Sequence, residues 1–498
     1  MRRLRQLPVP ALWLGVLSVL GCTVGPDYEP PDPFVPDAWK TAVASELAAT
    51  DSPIERWFVR FNDESLVAYV QRAIAANRDL ATAVARVEEA RALVGVATGG
   101  YYPDVALDAA YSRLELSENG LSEAPGGSLD LYQVGIGVGW EIDVFGRVRR
   151  SVEAAGANLD ASIEDYRDVL VILVADVASS YLNVRTLQAR LDYAEANVGA
   201  QRETLQLTRD RFDAGLTSAR DVAQAESNLA NSRAALPVLE SALEAAMNQL
   251  SVLIGEVPGT VDRDLAEVRE IPQPDAEIAV GMPAELLRRR PDIRRAERVL
   301  ASQTALVGVA TADLYPSFSL AGVVALESTD SGTLVESSSV GWQLVPGLRW
   351  NLFTGGKIRN RIRAEEARTR QALSSYEQTV LEALAEVEST LVAYEREKVR
   401  RDRLREAVEA TERTVELVRT QYLSGLTDFQ SFLDAQRSLF DQQDELASSE
   451  GQVVQNLVAL NRALGGGWDA GTGAPDLPGE GTAGSPLGTE PAESGSSQ

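Results

Sequence analysis

Ala92–Thr98, reading Ala-Leu-Val-Gly-Val-Ala-Thr, recurs letter for letter as Ala305–Thr311. Each copy leads into a Tyr-Pro pair, Tyr102-Pro103 and Tyr315-Pro316, offset by 213 residues. Trp140 and Gly146-Arg147 return as Trp350 and Gly356-Lys357, and Gly215-Leu216-Thr217 returns as Gly425-Leu426-Thr427, at an offset of 210. A period of this length is far beyond a solenoid unit of 20–50 residues. It marks a duplicated half-molecule, so any fold for this chain has to be assembled from two equivalent parts.

Composition removes several functions. The 498 residues carry a net charge of −26 and no histidine. No basic stripe is available to neutralise phosphates, which argues against nucleic acid. The usual general base and commonest metal ligand is missing. The single cysteine, Cys22, cannot form an intramolecular disulfide or a multi-cysteine metal site. No catalytic set, metal site or cofactor is expected. Gly355-Gly356-Lys357 lacks the loop spacing of a P-loop.

The N-terminus supplies an address. Arg2, Arg3 and Arg5 precede an apolar run from Ala11 to Leu20 that ends in Gly21-Cys22. A charged start, a short apolar core and a small residue before the cut describe a secretory signal over 1–21. The run is too short to span a bilayer, which takes about 20 apolar residues. Cys22 after the cut resembles the lipidated cysteine of a bacterial lipobox, although Leu20 stands where a small residue is commoner. Thr23 rather than aspartate follows it, which in such lipoproteins favours the outer membrane.

Within each half the hydrophobic period changes twice. A helical pattern runs from Asn62 to Thr98, with Asn62 or Asp63 as candidate caps and Gly99-Gly100 as a stop. Alternation follows. Val105, Leu107, Ala109 and Tyr111 share one face, and on the return Val134, Ile136, Val138, Trp140 and Ile142 oppose Gln133, Gly135, Gly137, Gly139 and Glu141. The second copy repeats this with Phe318 and Leu320, then Trp342, Leu344, Leu348, Trp350 and Leu352 against Gln343, Arg349 and Asn351. Strands of about ten residues, apolar on one face and polar or glycine on the other, are the pattern of a transmembrane barrel. Four strands cannot close one, since about eight is the practical minimum. The barrel therefore requires several chains, and a dimer, trimer or tetramer would each satisfy the pattern.

After each hairpin comes a helix of unusual length. No proline interrupts 147–211, and one heptad position reads Ile163, Leu170, Val177, Val184, Leu191, Val198, Leu205. Its counterpart reads Leu373, Val380, Val387, Tyr394, Arg401, Val408, Val415. Sustained seven-residue spacing predicts coiled-coil packing, along a helix of about 100 Å at 1.5 Å per residue. Each helix ends at a glycine turn, Gly215-Leu216-Thr217 or Gly425-Leu426-Thr427, and a second helix returns. The expected organisation is a signal at 1–21, an extended lipidated segment at 22–61, and a first repeat at 62–254 with its hairpin at about 101–144 and helical hairpin at about 146–254. A linker at 255–283 follows. The second repeat spans 284–464, with its hairpin at about 315–353 and helical hairpin at about 356–464. A tail at 465–498, rich in Gly, Pro, Ser and Glu, is expected to be disordered.

The chain resembles the TolC-like outer membrane factors, in particular the lipoprotein members of RND-type multidrug efflux systems. The motifs that carry this are Gly21-Cys22-Thr-Val-Gly-Pro-Asp-Tyr28, Trp57 with Phe61, Leu286–Ile293, Leu433–Phe440 and Leu460–Trp468. The resemblance implies a fold that is mostly α with membrane β. In it a homotrimer closes a twelve-stranded β-barrel, four strands per chain, continued by an α-helical coiled-coil barrel. It implies a passive outer membrane channel, set in outer membrane lipid and extending into the periplasm. Its partners would be a periplasmic adaptor (membrane fusion) protein and an RND-type inner-membrane transporter. The tips Gly215, Leu216, Thr217, Gly425, Leu426 and Thr427 would face the adaptor. A closing contact at the periplasmic end carries over to Asp434 and Arg437, with Tyr422 one helical arm away and Gln224 opposite Asp434 in the duplicate. An exit duct for type I protein secretion shares this fold and is the runner-up. A non-conducting coiled-coil surface protein is the alternative of a different class.

Overall fold

The computed structural model describes residues 23–32, 35–40, 56–115, 128–274 and 283–468. The signal segment, Cys22 and the tail beyond Trp468 lie outside the described residues. Chain order is a 3-10 turn at Trp57–Phe61, then α1 (Glu64–Ala76), α2 (Arg78–Gly99), β1 (Asp104–Glu115), β2 (Ser128–Ile142), α3 (Arg147–Asp213) and α4 (Ala219–Leu253). The second half follows with α5 (Pro283–Arg289), α6 (Pro291–Ala312), β3 (Ser317–Ser328), β4 (Val340–Arg349), α7 (Lys357–Leu423) and α8 (Phe429–Ala463). The duplication is metric as well as literal. α3 and α7 are 67 residues each, and α4 and α8 are 35 each.

The helical pattern from 62 to 98 is broken once, at Asn77. Asp63 caps α1 through Ser65 N–H (2.8 Å) and Leu66 N–H (3.2 Å). The Asn77 side chain then accepts from Asp79 and Leu80 N–H, starting α2, and donates to Leu253 O at 2.9 Å. A residue that caps the next helix must leave helical geometry itself, and Asn77 does so at ψ 135°. The second copy breaks at the matching place with different chemistry, Arg290 followed by Pro291 at the start of α6.

Two compact units result, and each draws on both copies of the repeat. The first comprises 1–45, 89–168 and 281–389, and the second comprises 46–88, 169–280 and 390–498.

In the first unit the four strands form one antiparallel sheet in the order β1-β2-β3-β4. The register places Leu107 beside Ile136, Ile136 beside Val324, and Val324 beside Trp342. All four are at least half exposed, so one apolar row crosses the entire sheet. The adjacent row, on the other face, is Asp108, Gly135, Ala325 and Gly341. Strand alternation makes these two faces inevitable. On the apolar face aromatic residues recur eight apart, Trp140 with Tyr132 and Trp350 with Trp342. Eight residues span about 27 Å along a strand before tilt, the scale of the apolar band of a membrane barrel. Trp140 Nε1 donates to Tyr101 O and Trp350 Nε1 donates to Leu314 O, both at 3.0 Å. At the far end Tyr111 and Tyr132 rings lie 5.0 Å apart, and Arg113 meets Asp130 at 3.9 Å. Among the described residues β1 and β4 each have one partner strand, so both outer edges of the sheet are open.

Below the strands, residues 23–28 run over α3 and α6. Arg150, 3% exposed, donates to Val24 O (3.2 Å) and to Asp27 Oδ1 (2.6 Å). Gly25, at φ +92°, lies so close to Gly308 that a Cβ on it would sit 2.4 Å from Gly308 Cα. A charged network joins α3, α6 and α7. Arg290 meets Asp292 and Glu386, each at 2.7 Å, Arg294 meets Glu164 at 2.7 Å, and Arg295 meets Asp165 at 2.5 Å. Asp168 faces this network. Burial, reinforced by Asp292, pushes its carboxyl up to about 6.

The second unit packs Trp57, Phe58 and Phe61 as an edge-to-face trio with 6.1 Å centroid separations from Trp57 to each phenylalanine. Arg185, 1% exposed, is held by Tyr181 Oη (3.1 Å), Gln188 Oε1 (2.8 Å) and Glu267 O (2.8 Å). None of the fourteen heptad positions in α3 and α7 is exposed, the burial that seven-residue spacing demands. α8 approaches α3 closely at Gly451, where a Cβ would fall 2.3 Å from Thr186 Oγ1.

Candidate functional site at the helix turns

Both helical hairpins end in the same hydrogen-bonded turn. After α3, Gly215 N–H donates to Phe212 O (2.8 Å) and Leu216 N–H donates to Arg211 O (2.7 Å). After α7, Gly425 N–H donates to Tyr422 O (3.1 Å) and Leu426 N–H donates to Gln421 O (2.9 Å). This pair of bonds is the Schellman motif, whose C′ residue has to be left-handed. Gly215 and Gly425 have φ of +75° and +74°. The residue that follows each glycine is thrust outward, Leu216 at 65% and Leu426 at 80% exposure.

The returning helices start on different caps. Ser218 and Asp221 form a reciprocal capping box on α4, and Thr217 Oγ1 donates to Asp221 at 2.7 Å. Burial works against the Asp221 carboxylate, but the bonds from Thr217 and Ser218 prevail and hold it below the usual carboxylate range. Asp428 alone caps α8, accepting from Ser431 N–H (2.8 Å) and Ser431 Oγ (2.6 Å). Those bonds lower its affinity for a proton too.

Behind the turns lies an apolar cluster that includes Val198, Leu205, Leu229, Tyr422, Phe429, Phe432 and Leu433. Tyr422 is 3% exposed. It stacks on Phe432 (5.6 Å, 13° between planes) and carries the Arg211 guanidinium 4.7 Å above its ring. Next to this cluster the structure brings Gln224, Asn228, Asp434 and Arg437 together. Asp434 and Arg437 approach to 3.9 Å, with side chains 59% and 45% exposed. Arg437 makes its shorter contact with Asn228 Oδ1 of the other copy, which also accepts from Gln224 Nε2 at 3.3 Å. Asp434 accepts from Gln430 at 2.8 Å. Asn228, Gln430 and Arg211 are participants that the sequence reading does not name. A strict 210-residue offset pairs Asp434 with Gln224 and passes over Asn228 one helical turn away. Tyr422 makes no hydrogen bond to Asp434 or Arg437 and belongs to the apolar cluster instead.

The chain matches the family model described as "Outer membrane efflux protein" over residues 69–256 and 282–466, one match on each copy of the repeat. It belongs to the outer membrane efflux protein family. Nodulation protein T of Rhizobium leguminosarum bv. trifolii is 30% identical over 453 residues, covering 91% of this chain and 96% of that protein. The antibiotic efflux pump outer membrane protein ArpC of Pseudomonas putida is also 30% identical, over 95% of this chain and 97% of its own length. The solved outer-membrane channel OprN superposes with a TM-score of 0.84 at 35% identity, covering 90% of this chain and 100% of that one.

Family membership settles what the open sheet edges leave unsaid. The fold is that of the outer membrane efflux proteins, mostly α with membrane β. A trimeric twelve-stranded β-barrel takes four strands from each chain and is continued by an α-helical barrel. The protein is an outer membrane channel of an efflux system and extends into the periplasm.

Proposed function

We propose that this chain is the passive outer duct of an RND-type tripartite pump, receiving small molecules from an inner-membrane transporter through a periplasmic adaptor. The observation that carries the assignment of an adaptor face is the pair of matching Schellman turns, each presenting an exposed leucine, Leu216 and Leu426, beside a rigid glycine. Two equivalent turns per chain would give a trimer a near-sixfold ring of docking points. The duct performs no catalysis in this reading. Its selectivity belongs to the pump, and its own task is to open.

Gln224, Asn228, Asp434 and Arg437 are the closing contact. Exposed ion pairs contribute only about 0–1 kcal/mol, so no single pair holds the duct shut. A hydrogen bond from a guanidinium to a neutral amide contributes about 1.5–3 kcal/mol where water is excluded, and less here because Arg437 is nearly half exposed. Threefold repetition makes the sum adequate for a closed rest state. An adaptor that binds only the open form offsets it. Cys22 is the site of lipidation and fixes the N-terminus to the outer membrane.

The test is genetic and biochemical. Deleting the gene should raise susceptibility to efflux substrates, and complementation should require the adaptor and pump genes as well. Complementation that proceeds with a secretion ATPase in place of the pump would assign the duct to protein export.

A further inference from the structure

Away from the tips, the helices of the second unit pack in a row. α4 meets α3 through Ser232 and Asn197 (3.0 Å), α3 meets α8 through Arg190 and Asp444 (2.8 Å), and α8 meets α7 through Glu450 and Arg405 (2.9 Å). Among the described residues no hydrogen bond or ion pair joins α4 to α7, so these two helices end the row. The middle joint belongs to both copies of the repeat, with the returning helix of the second, α8, lying on the long helix of the first, α3. There Gln455 Nε2 donates to Ser179 O at 2.7 Å. Gly451 lies so close to Thr186 that a Cβ would fall 2.3 Å from its Oγ1.

The 210-residue offset maps this joint onto the two ends of the row, α8 onto α4 and α3 onto α7. Gly451 becomes Ser241 and Gln455 becomes Ala245, while Thr186 becomes Arg396 and Leu182 becomes Val392. In the middle joint Gly451, Thr186 and Leu182 are buried. At the ends Ser241, Ala245, Arg396 and Val392 are all exposed, Val392 to 45%. The chain thus carries both halves of a joint that it cannot close on itself. Charge favours the same pairing. Carried over in the register of the middle joint, Ala245 falls beside Val392, and Arg396 lies level with Ser241. Glu240 and Glu244 flank Ser241 and, four residues apart, share one helix face. All three charged residues are exposed, and among the described residues none of them makes an ion pair.

We propose that α4 of one chain docks on α7 of the next chain in the trimer, with Ala245 against Val392 and Arg396 held between Glu240 and Glu244. A contact between two different surfaces of the same chain is the kind that closes a ring. Inside the chain the joint is steric, glycine against threonine. Between chains a small residue, Ser241, leaves room for an ionic contact instead, which salt screens and which adds only modest strength to the apolar pair.

Cysteine cross-linking of the full chain tests this, since Cys22 is the one native cysteine. The Ala245→Cys, Val392→Cys double variant, mildly oxidised in outer membranes, should give disulfide-linked dimers and trimers on non-reducing denaturing gels. Either single variant should run as a monomer. Ser241→Cys with Arg396→Cys is the second pair, and decides alone if the first fails to assemble. Arg396→Glu added to the first pair should slow cross-linking severalfold, and Glu240→Lys with Glu244→Lys added to that should restore it. Assembled trimers in which neither cysteine pair links chains would overturn the proposal. So would disulfides that close within one chain, or a cross-linking rate that Arg396→Glu leaves unchanged.

Discussion

Arg437 of the second repeat reaches across to Asn228 of the first and donates to its side-chain oxygen, while its own-helix partner Asp434 stands 3.9 Å away. The proposed closing contact therefore joins α4 to α8 rather than stapling α8 to itself. Replacing Asn228 by leucine should loosen the closed state as much as Arg437→Ala does, each by about 1 kcal/mol per chain after allowance for exposure. Both should raise conductance of purified trimers. Asp434→Ala alone should have the smaller effect. Equal conductance in parent and all three variants would remove these residues from the gate.

Gly215 and Gly425 hold φ near +75° with no side chain nearby, so steric crowding is absent and backbone strain alone resists substitution. Valine at either position should cost about 1–2 kcal/mol in the turn and misplace Leu216 or Leu426. Adaptor-dependent drug resistance should fall while heat-resistant trimers persist on gels. Disappearance of the trimer would make the turns structural instead.

Asp168 gives a pH dependence with a definite sign. Its folded value of about 6 lies above the ordinary aspartate value of about 3.9. The fold therefore favours the protonated form. The resulting destabilisation is absent below about pH 4, grows between 4 and 6, and is complete above 6. Asp168→Asn should melt later than the parent at pH 7.5, by on the order of 1–2 kcal/mol, and the two should converge as pH falls toward 4. A difference that widens on acidification would contradict this account of burial and Asp292 repulsion.

Gly451 and Thr186 test the packing of α8 on α3. Gly451→Val inserts atoms where a Cβ already falls 2.3 Å from Thr186 Oγ1, and overpacking of this kind costs about 1–3 kcal/mol. Adding Thr186→Ala should recover a substantial part of that loss in thermal unfolding. Strictly additive effects would show that the two residues do not share the space.

Much of this architecture can be read from the residues. Strand alternation separates Leu107, Ile136 and Trp342 from Asp108 and Gly135, and the heptad run from Ile163 to Leu205 announces a long packed helix. What escapes is set by contacts distant in sequence. Asn77 breaks the first helix because it also reaches Leu253 O, 176 positions away, and no local propensity signals that. Arg150 looks like an ordinary surface cation of α3, yet it is buried because residues 24–27 return to it. At the turns, the glycines are legible from their conformational role. Asn228 is not, since an amide on a polar helix becomes important only when α8 brings Arg437 beside it.

Cys22→Ser isolates the lipid anchor from the duct. The variant should lose palmitate labelling at its N-terminus, and retained label would remove Cys22 as the attachment site.

In the proposed function this chain makes a water-filled duct closed by polar contacts near Asn228 and Arg437. The direct measurement is single-channel recording of purified trimers in planar bilayers. The parent should conduct weakly, and the Asn228→Leu, Arg437→Ala double variant should show larger, stable openings through the same trimer. A trimer that stays silent in both forms while folded and inserted would contradict the claim.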